Sequence, residues 1–471
     1  MAEKMELTKL TLQIFSMLER QWLVDDARHA SDEARQPQQH RGKTRVLCID
    51  GGCGPSALAA SLASLVRLEE LLQSVTGDPA ARVPDFFDLV AGTGTGGVLA
   101  VLLTAAEPAD AGDGAKRRPI FSARDAAELL RVKIAEMYRR SWSRLGGVFR
   151  RRPKWRFSGK SLEGALRTAL GDRTLRNAAK PLLVPCYDLL SAAPFVFSRA
   201  GAAESPALDF ELWKVCRATL ATPGLFTPFP LQSLDGATAC LAVDGGLVMS
   251  NPASAAVTHV LHNKAGFPFV GGVEDLLVLS LGSGGGGGNV VGGRRRRWFD
   301  SRPRRGVTEV EIAMGGIADA VDQILSNAFC CNPEGYLRIQ GNGSLRTPPE
   351  EEGEVEAHLT AECLRRIGEK VMGEKAVETL PLGPGGKRLS AQTNGERMEE
   401  FVRRRLLFPG TAPVVVAGGQ PGRGIRTPAL HPQSCAAATM HDLSSKQNVT
   451  ARRKRSDEGK NRADRHVLTL S

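Results

Sequence analysis

Two short apolar segments each run into a glycine-rich corner that is followed by an apolar, alanine-rich segment. Residues 45–50 read RVLCID and continue as GGCGPS, and residues 86–91 read FFDLVA and continue as GTGTGG. An apolar run, a tight glycine turn and a helical run are typical of a strand–turn–helix unit. Alternating strands and helices favour an α/β fold, with a mostly parallel central sheet and helices on both faces. Further apolar strands alternate with helical segments, at residues 182–188, 194–199, 239–244 and 275–282.

Composition divides the chain into three parts. Residues 1–44 combine an amphipathic helical pattern with a polar linker. Residues 45–408 hold the α/β domain, which is interrupted by a Gly/Arg-rich insertion near 284–306. Residues 409–471 are dominated by Pro, Gly, Ser and charge, and we predict a disordered basic tail there. After the insertion, helical patterns resume at residues 307–330 and 357–407.

The second corner, Gly92-Thr-Gly-Thr-Gly-Gly97, allows two interpretations. Its sequence fits the dinucleotide fingerprint G-x-G-x-x-G. A dinucleotide site also needs a second strand that ends in Asp or Glu about 20 residues further on. Residues 107–121 read EPADAGDGAKRRPIF and contain no strand, and no Gly-Lys-Ser/Thr follows, so the context disfavours a nucleotide site. The same sequence also fits a nucleophile elbow, G-x-S-x-G, with Gly94 in place of the serine.

The other two corners also have the composition of binding sites. In Asp50-GGCGPS, the backbone N–H groups of Gly51, Gly52 and Cys53 can face an anion at a helix N-terminus, either a phosphate or the oxyanion of acyl transfer. A glycine turn used only for packing is the alternative. The third corner, VDGGLVMSNP, brings Asp244 to the end of a strand, where ligands bind in α/β sheets, although a turn-forming aspartate is equally typical. A helix is predicted after it, at residues 251–263, with Asn251 as its N-cap and Pro252 at its first position.

Taken in order and spacing, the three corners resemble those of the patatin-like phospholipase family, which has D-G-G-G-x-R-G, then G-x-S-x-G, then D-G-G/A. The resemblance covers about Thr44 to Gly284 and extends more weakly to about Phe408. Four other stretches agree with it: FSGKSL from Phe157, CRATLATPGLFTPF from Cys216, the Asn-Pro after Asp244, and VLSLGSG from Val278.

The resemblance implies a lipid acyl hydrolase that acts on membrane glycerolipids such as phospholipids and galactolipids, by a serine–aspartate dyad without histidine, metal or cofactor. By position, Asp244 is the base, Gly94 stands at the nucleophile, and Gly51, Gly52 and Cys53 form the oxyanion hole. This sequence departs from the family at two positions: Pro55 replaces an arginine, and Gly94 has no side chain that could attack. In the second respect it resembles the plant patatin-related group whose elbow departs from serine.

Several groups could replace the missing nucleophile. Cys53 is a candidate thiol if the helix N-terminus lowers its pKa, and Ser56 and Ser283 lie near the glycine turns. Thr93 and Thr95 flank the elbow, but alternation directs their side chains away from the direction of residue 94. Asp244 could instead activate water directly. A pseudoenzyme that still binds acyl chains is the alternative from another functional class.

The net charge of +11 is concentrated in two segments, residues 139–156 and 294–305. The first interleaves arginines with aromatic residues, which suits an anionic membrane surface or single-stranded nucleic acid. Given the lipase-like motifs, we expect a membrane contact rather than nucleic acid, although a solvated basic face has the same composition. The predicted membrane patch consists of Arg150, Arg151, Arg152 and Trp155.

The nine cysteines have no metal-ligand spacing, and their odd number argues against a disulfide framework. The first residues lack a signal-peptide pattern, and no apolar run reaches the length of about 20 residues that spans a bilayer. We therefore expect a cytoplasmic protein that is peripheral at membranes. The Arg452-RKR run is either an import signal or part of the tail.

Overall fold

The structure is a computed structural model that describes residues 42–52, 55–107, 117–145, 157–283, 309–341, 360–377 and 389–407. The predicted N-terminal helix, the Gly/Arg-rich insertion, the predicted membrane patch at 150–155 and the predicted tail lie outside these residues. Among the described residues, no helix is long and apolar enough to cross a membrane.

The described strands and helices alternate along most of the chain. The strands are β1 Thr44–Ile49, β2 Leu89–Gly92, β3 Leu182–Asp188, β4 Ala193–Ser198, β5 Phe229–Gln232, β6 Ala239–Asp244, β7 Leu276–Leu281, β8 Tyr336–Ile339, β9 Lys375–Val377 and β10 Leu389–Thr393. The helices are α1 Pro55–Thr76, α2 Gly94–Thr104, α3 Ala123–Leu145, α4 Lys160–Leu170, α5 Arg199–Glu204, α6 Leu212–Thr219, α7 Gly246–Met249, α8 Ala253–His262, α9 Glu309–Ala328, α10 Ala361–Gly373 and α11 Asn394–Glu400, followed by a π-helical turn at Phe401–Leu407.

Eight strands form one mixed sheet in the order β5-β6-β3-β2-β1-β7-β8, with β4 also paired to β3. The run from β3 through β2, β1 and β7 to β8 is parallel, whereas β4 and β6 pair with β3 in the antiparallel direction. This arrangement confirms the predicted α/β fold with mostly parallel strands. The antiparallel strands gather at one end of the sheet.

The central strands are buried on both faces, which explains why their sequences are continuously apolar. In β1, Leu47 and Ile49 pack into one hydrophobic cluster, and Val46 and Cys48 pack into a second cluster on the opposite face. The first cluster includes residues of α1, α2 and α3, and the second includes residues of α8 and α9. Alternation along the strand therefore places helices on both faces of the sheet.

Helix α2 leaves the second glycine corner and is buried along its whole length of 11 residues. A helix that is apolar on every side is a buried helix. Its N-terminus is therefore held rigidly at the carboxyl end of β2, inside the domain.

Two sequence predictions differ in detail from the structure. Helix α8 begins at Ala253, one residue later than predicted, and the Asn251 side chain accepts a hydrogen bond from the Ala253 N–H, as expected of a capping residue. The helical pattern at 357–407 is not continuous, since the antiparallel β9–β10 pair lies between α10 and α11.

Candidate active site

The second corner has the geometry of an elbow whose central position alone can accept a side chain. Gly94 has a φ of +53°, in the left-handed region that a strand-to-helix elbow uses. A Cβ on Gly92 would overlap the carbonyl of Gly96, and a Cβ on Gly96 would overlap the carbonyl of Ile49. A Cβ on Gly94 would meet its nearest atom at 3.2 Å, so a small side chain fits after a slight adjustment. Packing thus excludes a side chain at the two outer glycines, whereas a side chain at Gly94 meets only the strain of its positive φ and a close but adjustable contact.

That nearest atom belongs to the Asp244 carboxylate. A Cβ on Gly94 would lie 3.2 Å from Oδ1 and 3.6 Å from Oδ2 of Asp244, which is a buried residue. Oδ1 accepts a hydrogen bond from the Gly246 N–H at 2.8 Å, and Oδ2 accepts one from the Thr222 hydroxyl at 2.6 Å. Burial raises the pKa of Asp244 to about 6, while the hydrogen bonds from Thr222 and Gly246 act in the opposite direction. A carboxylate with this pKa is ionised at neutral pH and is basic enough to accept a proton.

Asp244 reaches the elbow because two strands share one edge of β3. Strand β4 pairs with β3 along residues 183–188 and so occupies one edge. On the other edge, β2 pairs with Leu182 and Leu183, and β6 pairs with residues 186–188 in the opposite direction. The carboxyl ends of β2 and β6 therefore point towards each other. From the sequence, Asp244 was expected at the carboxyl end of a parallel strand. Asp244 lies instead at the end of β6, which is antiparallel to β3 and ends opposite Cys186.

Thr219 connects the elbow to the gap between these two strand ends. Its hydroxyl accepts a hydrogen bond from the Gly94 N–H at 2.9 Å and donates one to the carbonyl of Pro185 at 3.0 Å. Pro185 has no N–H, so its position in the gap leaves no strand donor unpaired. The contacts of Thr219 fix the backbone of the elbow against β3.

The first glycine turn lies directly against the elbow. A Cβ on Gly94 would lie 3.3 Å from the Cα of Gly51, and a Cβ on Gly51 would lie 2.6 Å from the carbonyl oxygen of Thr93. Within the described part of the chain, the N–H groups of Gly51 and Gly52 donate to no acceptor, which is what an oxyanion hole requires. Cys53, the third predicted member of the oxyanion hole, lies outside the described residues.

A buried ion pair holds the start of this turn. Arg338 of β8 contacts Asp50 through Nη1 at 3.3 Å and Nη2 at 2.5 Å, and both side chains are buried. Nη1 of Arg338 also donates to the Ser280 hydroxyl at 2.6 Å. The predicted loss of a cation at Pro55 is therefore accompanied by a cation from another strand, which pairs with Asp50 at the start of the turn.

Three residues of the site were missed by sequence reasoning: Thr219, Thr222 and Arg338. The two threonines lie in the stretch from Cys216 that resembles the family. Their hydroxyl groups, which had no role assigned from the sequence, were the signal that could have identified them. Arg338 had no such signal, because it follows a stretch for which no motif was recognised. Of the predicted substitutes, Thr93 and Thr95 have hydroxyls that are buried without a hydrogen-bond partner among the described residues.

The described residues contain no cluster of three or more His, Cys, Asp or Glu side chains that could hold a metal ion. The side chain of Ser56 and the predicted membrane patch, Arg150, Arg151, Arg152 and Trp155, lie outside the described residues. The site is thus defined by the elbow, Asp244, the first glycine turn and the two threonines.

Comparison with known proteins gives a consistent result. The family model for patatin-like phospholipases matches residues 47–257. "Probable inactive patatin-like protein 9" of Arabidopsis thaliana is 49% identical over 406 residues, which is 85% of this chain and 93% of that protein. "Patatin-like protein 6" of the same plant is 39% identical over 84% of this chain and 83% of its own length. "Patatin-like protein 3" of Oryza sativa subsp. indica is 38% identical over 84% of this chain and 90% of its own length.

Proposed function

The chain belongs to the patatin-like phospholipase family, and we propose that it hydrolyses fatty acyl esters of membrane glycerolipids, phospholipids and galactolipids, with Asp244 as the general base. The observation that carries this proposal is the Asp244 carboxylate, which lies 3.2 Å from the position of a Cβ on Gly94. The elbow has lost its nucleophile, but the base, its raised pKa and the adjacent backbone donors are all retained.

The proposed reaction follows from these groups. Asp244 accepts a proton from the hydroxyl that attacks the ester carbonyl, and the N–H groups of Gly51 and Gly52 bind the oxyanion that forms. The Asp244 carboxylate is buried, and the low dielectric around it strengthens its interaction with the attacking hydroxyl. Collapse of the intermediate releases the lysolipid as an alcohol after Asp244 returns the proton.

We propose that residues 150–155 hold the protein peripherally at an anionic membrane, on the cytoplasmic side. This basic segment joins the described domain at Phe157, whose N–H donates to the carbonyl of Leu225 at 2.8 Å and whose ring packs on Phe226. Leu225 in turn donates its N–H to the carbonyl of Thr222. Phe157, which follows the segment in the chain, therefore lies beside the loop that contacts Asp244, and this supports a membrane contact near the base.

A second function is favoured by the elbow itself. Gly94 has no side chain, and the relative that is 49% identical carries the words "probable inactive" in its name. A protein that binds glycerolipids in the same cleft without cleaving them is the alternative that these observations support.

Fatty acid release separates the two functions. Purified full-length protein would be mixed with liposomes of phosphatidylcholine or monogalactosyldiacylglycerol, and released fatty acid would be measured for the wild type, Asp244→Ala and Asp172→Ala. Asp172 is an exposed carboxylate in a turn and serves as the matched control. We expect release by the wild type and Asp172→Ala and its loss in Asp244→Ala. Equal release by all three would contradict the role of Asp244, and no release with intact liposome binding would support the second function.

A further inference from the structure

We propose that Thr222 replaces the missing elbow serine as the nucleophile and forms an acyl-threonine intermediate. This inference rests on the proposed hydrolase function and names the hydroxyl that Asp244 activates. Its starting point is the hydrogen bond of 2.6 Å from Thr222 Oγ1 to Asp244 Oδ2.

The hydrogen-bonding pattern singles out Thr222 among the hydroxyl residues near the elbow. A side-chain nucleophile needs a base within hydrogen-bond reach, and Thr222 is the hydroxyl that donates to Asp244 within the described part of the chain. The hydroxyl proton of Thr219 is directed to the carbonyl of Pro185 instead. The hydroxyls of Thr93 and Thr95 have no partner among the described residues, so no base activates them.

The backbone around Thr222 holds this pair in place. The Asp244 N–H donates to the carbonyl of Ala221 at 3.1 Å, so the residue before Thr222 is bonded directly to the residue that carries the base. The carbonyl of Thr222 accepts hydrogen bonds from the N–H groups of Leu225 and Phe226 at 3.1 and 2.9 Å. These contacts fix the loop at both ends. The hydroxyl and the carboxylate are thus preorganised rather than brought together by chance side-chain rotation.

Thr222 and Gly94 approach the carboxylate from different sides. The Gly246 N–H occupies Oδ1, the atom nearer to the Gly94 position, and Thr222 binds Oδ2. Because Gly94 has no Cβ, the elbow itself places no hydroxyl beside either oxygen. Three residues before Thr222, the hydroxyl of Thr219 contacts the Gly94 N–H, so the same short segment lines both the elbow and the base.

The reaction balances with water as the second substrate. Thr222 Oγ1 forms a bond to the ester carbonyl carbon while its proton passes to Asp244, and the carbonyl π electrons move to the oxygen. Collapse of this oxyanion expels the lysolipid alkoxide, which takes the proton from Asp244 and leaves an acyl-threonine. Water then attacks the acyl carbon, gives a proton to Asp244, and threonine leaves with that proton as the fatty acid is released.

The test compares variants that differ at the hydroxyl. Thr222→Val removes the hydroxyl and keeps the branched shape, and Thr222→Ser keeps the hydroxyl. Thr227→Val is the matched control, because Thr227 is an exposed threonine five residues further along the same segment. Full-length protein would react with p-nitrophenyl laurate and with phosphatidylcholine liposomes, over pH 5 to 9. Acid-quenched samples would be fragmented by mass spectrometry to locate any acyl group among Thr219, Thr222 and Thr227.

We expect an acyl group on Thr222 in the wild type and Thr227→Val, and turnover in Thr222→Ser. Thr222→Val should lose at least about 100-fold of the rate at every pH, since loss of a nucleophile removes the covalent route. Hydrolysis by Thr222→Val near the wild-type rate, without an acyl-threonine, would overturn the proposal. If Asp244→Asn still loses hydrolysis, the proposed function stands. In that case Thr222 only positions the base, and its loss should shift the pH midpoint upwards, because its hydrogen bond lowers the pKa of Asp244. Absence of hydrolysis in the wild type would overturn both.

Discussion

Replacing Asp244 by asparagine should abolish hydrolysis and stabilise the folded protein, and the stabilisation should depend on pH. The carboxylate is buried, and asparagine has nearly the same shape without the charge. The Asn amide can accept from the Gly246 N–H and donate to the Thr222 hydroxyl, so both present contacts have a replacement. A buried charged side chain that lowers the free energy of unfolding is typical of a functional base.

The magnitude follows from the pKa of Asp244, which burial raises from 3.8 to about 6. At about 1.4 kcal/mol for each pKa unit, the charged carboxylate lowers the free energy of unfolding by about 3 kcal/mol. The folded state binds this proton more tightly than the unfolded chain, so the cost is absent below pH 3.8, grows up to about pH 6 and is complete above it. The hydrogen bonds from Thr222 and Gly246 are already contained in this net pKa. We therefore expect Asp244→Asn to be stabilised by about 3 kcal/mol at pH 8, relative to its effect below pH 3.8.

The assay is urea unfolding of the full chain, followed by circular dichroism, at pH 4.5, 6 and 8. The measured quantity is the difference in unfolding free energy between Asp244→Asn and the wild type, because titration of all other groups cancels in it. Asp172→Asn, which changes an exposed carboxylate, is the matched control variant. A difference for Asp244→Asn that stays constant between pH 4.5 and 8, or that grows as the pH falls, would refute a raised pKa at the base.

Four further outcomes follow from the same geometry. Gly94→Ser should increase ester hydrolysis and create labelling by a fluorophosphonate, with Gly94→Ala as the unlabelled control; unchanged labelling would contradict the elbow assignment. Gly96→Ala should fold poorly, because its Cβ would overlap the Ile49 carbonyl, and thermal unfolding should place it well below Gly94→Ala. Arg338→Met should cost about 3–5 kcal/mol of unfolding free energy in urea, because it leaves the buried Asp50 charge unpaired; a neutral effect would show that Asp50 is uncharged. Charge reversal at residues 150–152 should weaken cosedimentation with anionic liposomes by at least about 1 kcal/mol per arginine, and unaltered binding would place the membrane contact elsewhere.

The glycine corners were predictable from the sequence because the constraints that require glycine there are local. Gly92 and Gly96 are needed by close backbone approach, and such glycines leave a readable spacing in the sequence. The strands and helices around them follow from apolar period and length, so the α/β fold and the elbow position were predictable. The continuous helical pattern at 357–407 was wrong because nothing in its period marks the short β9–β10 pair.

The proximity of the elbow and Asp244 was predicted from the resemblance to the family. The rule that active-site residues lie at the carboxyl ends of parallel strands does not explain it. Asp244 lies on an antiparallel strand that shares an edge of β3 with β2. That edge is set by strand pairing between residues about 150 positions apart in the chain, from Val90 of β2 to Val243 of β6, both against β3. Side-chain pattern indicates that each segment is a strand, but it does not say which strands share an edge.

By itself, the sequence determined the type of each central element, the three glycine corners and the absence of a nucleophile at Gly94, because these depend on local period, φ and side-chain chemistry. Tertiary structure alone decided that Arg338 neutralises Asp50 and that the Thr222 hydroxyl is bonded to Asp244. Both contacts join segments that are distant in the chain, and their geometry arises only when the sheet order and the packing of α6 are in place. Hydrogen bonds act over about 3 Å, so the partner of the base is a property of the folded site and not of the motif.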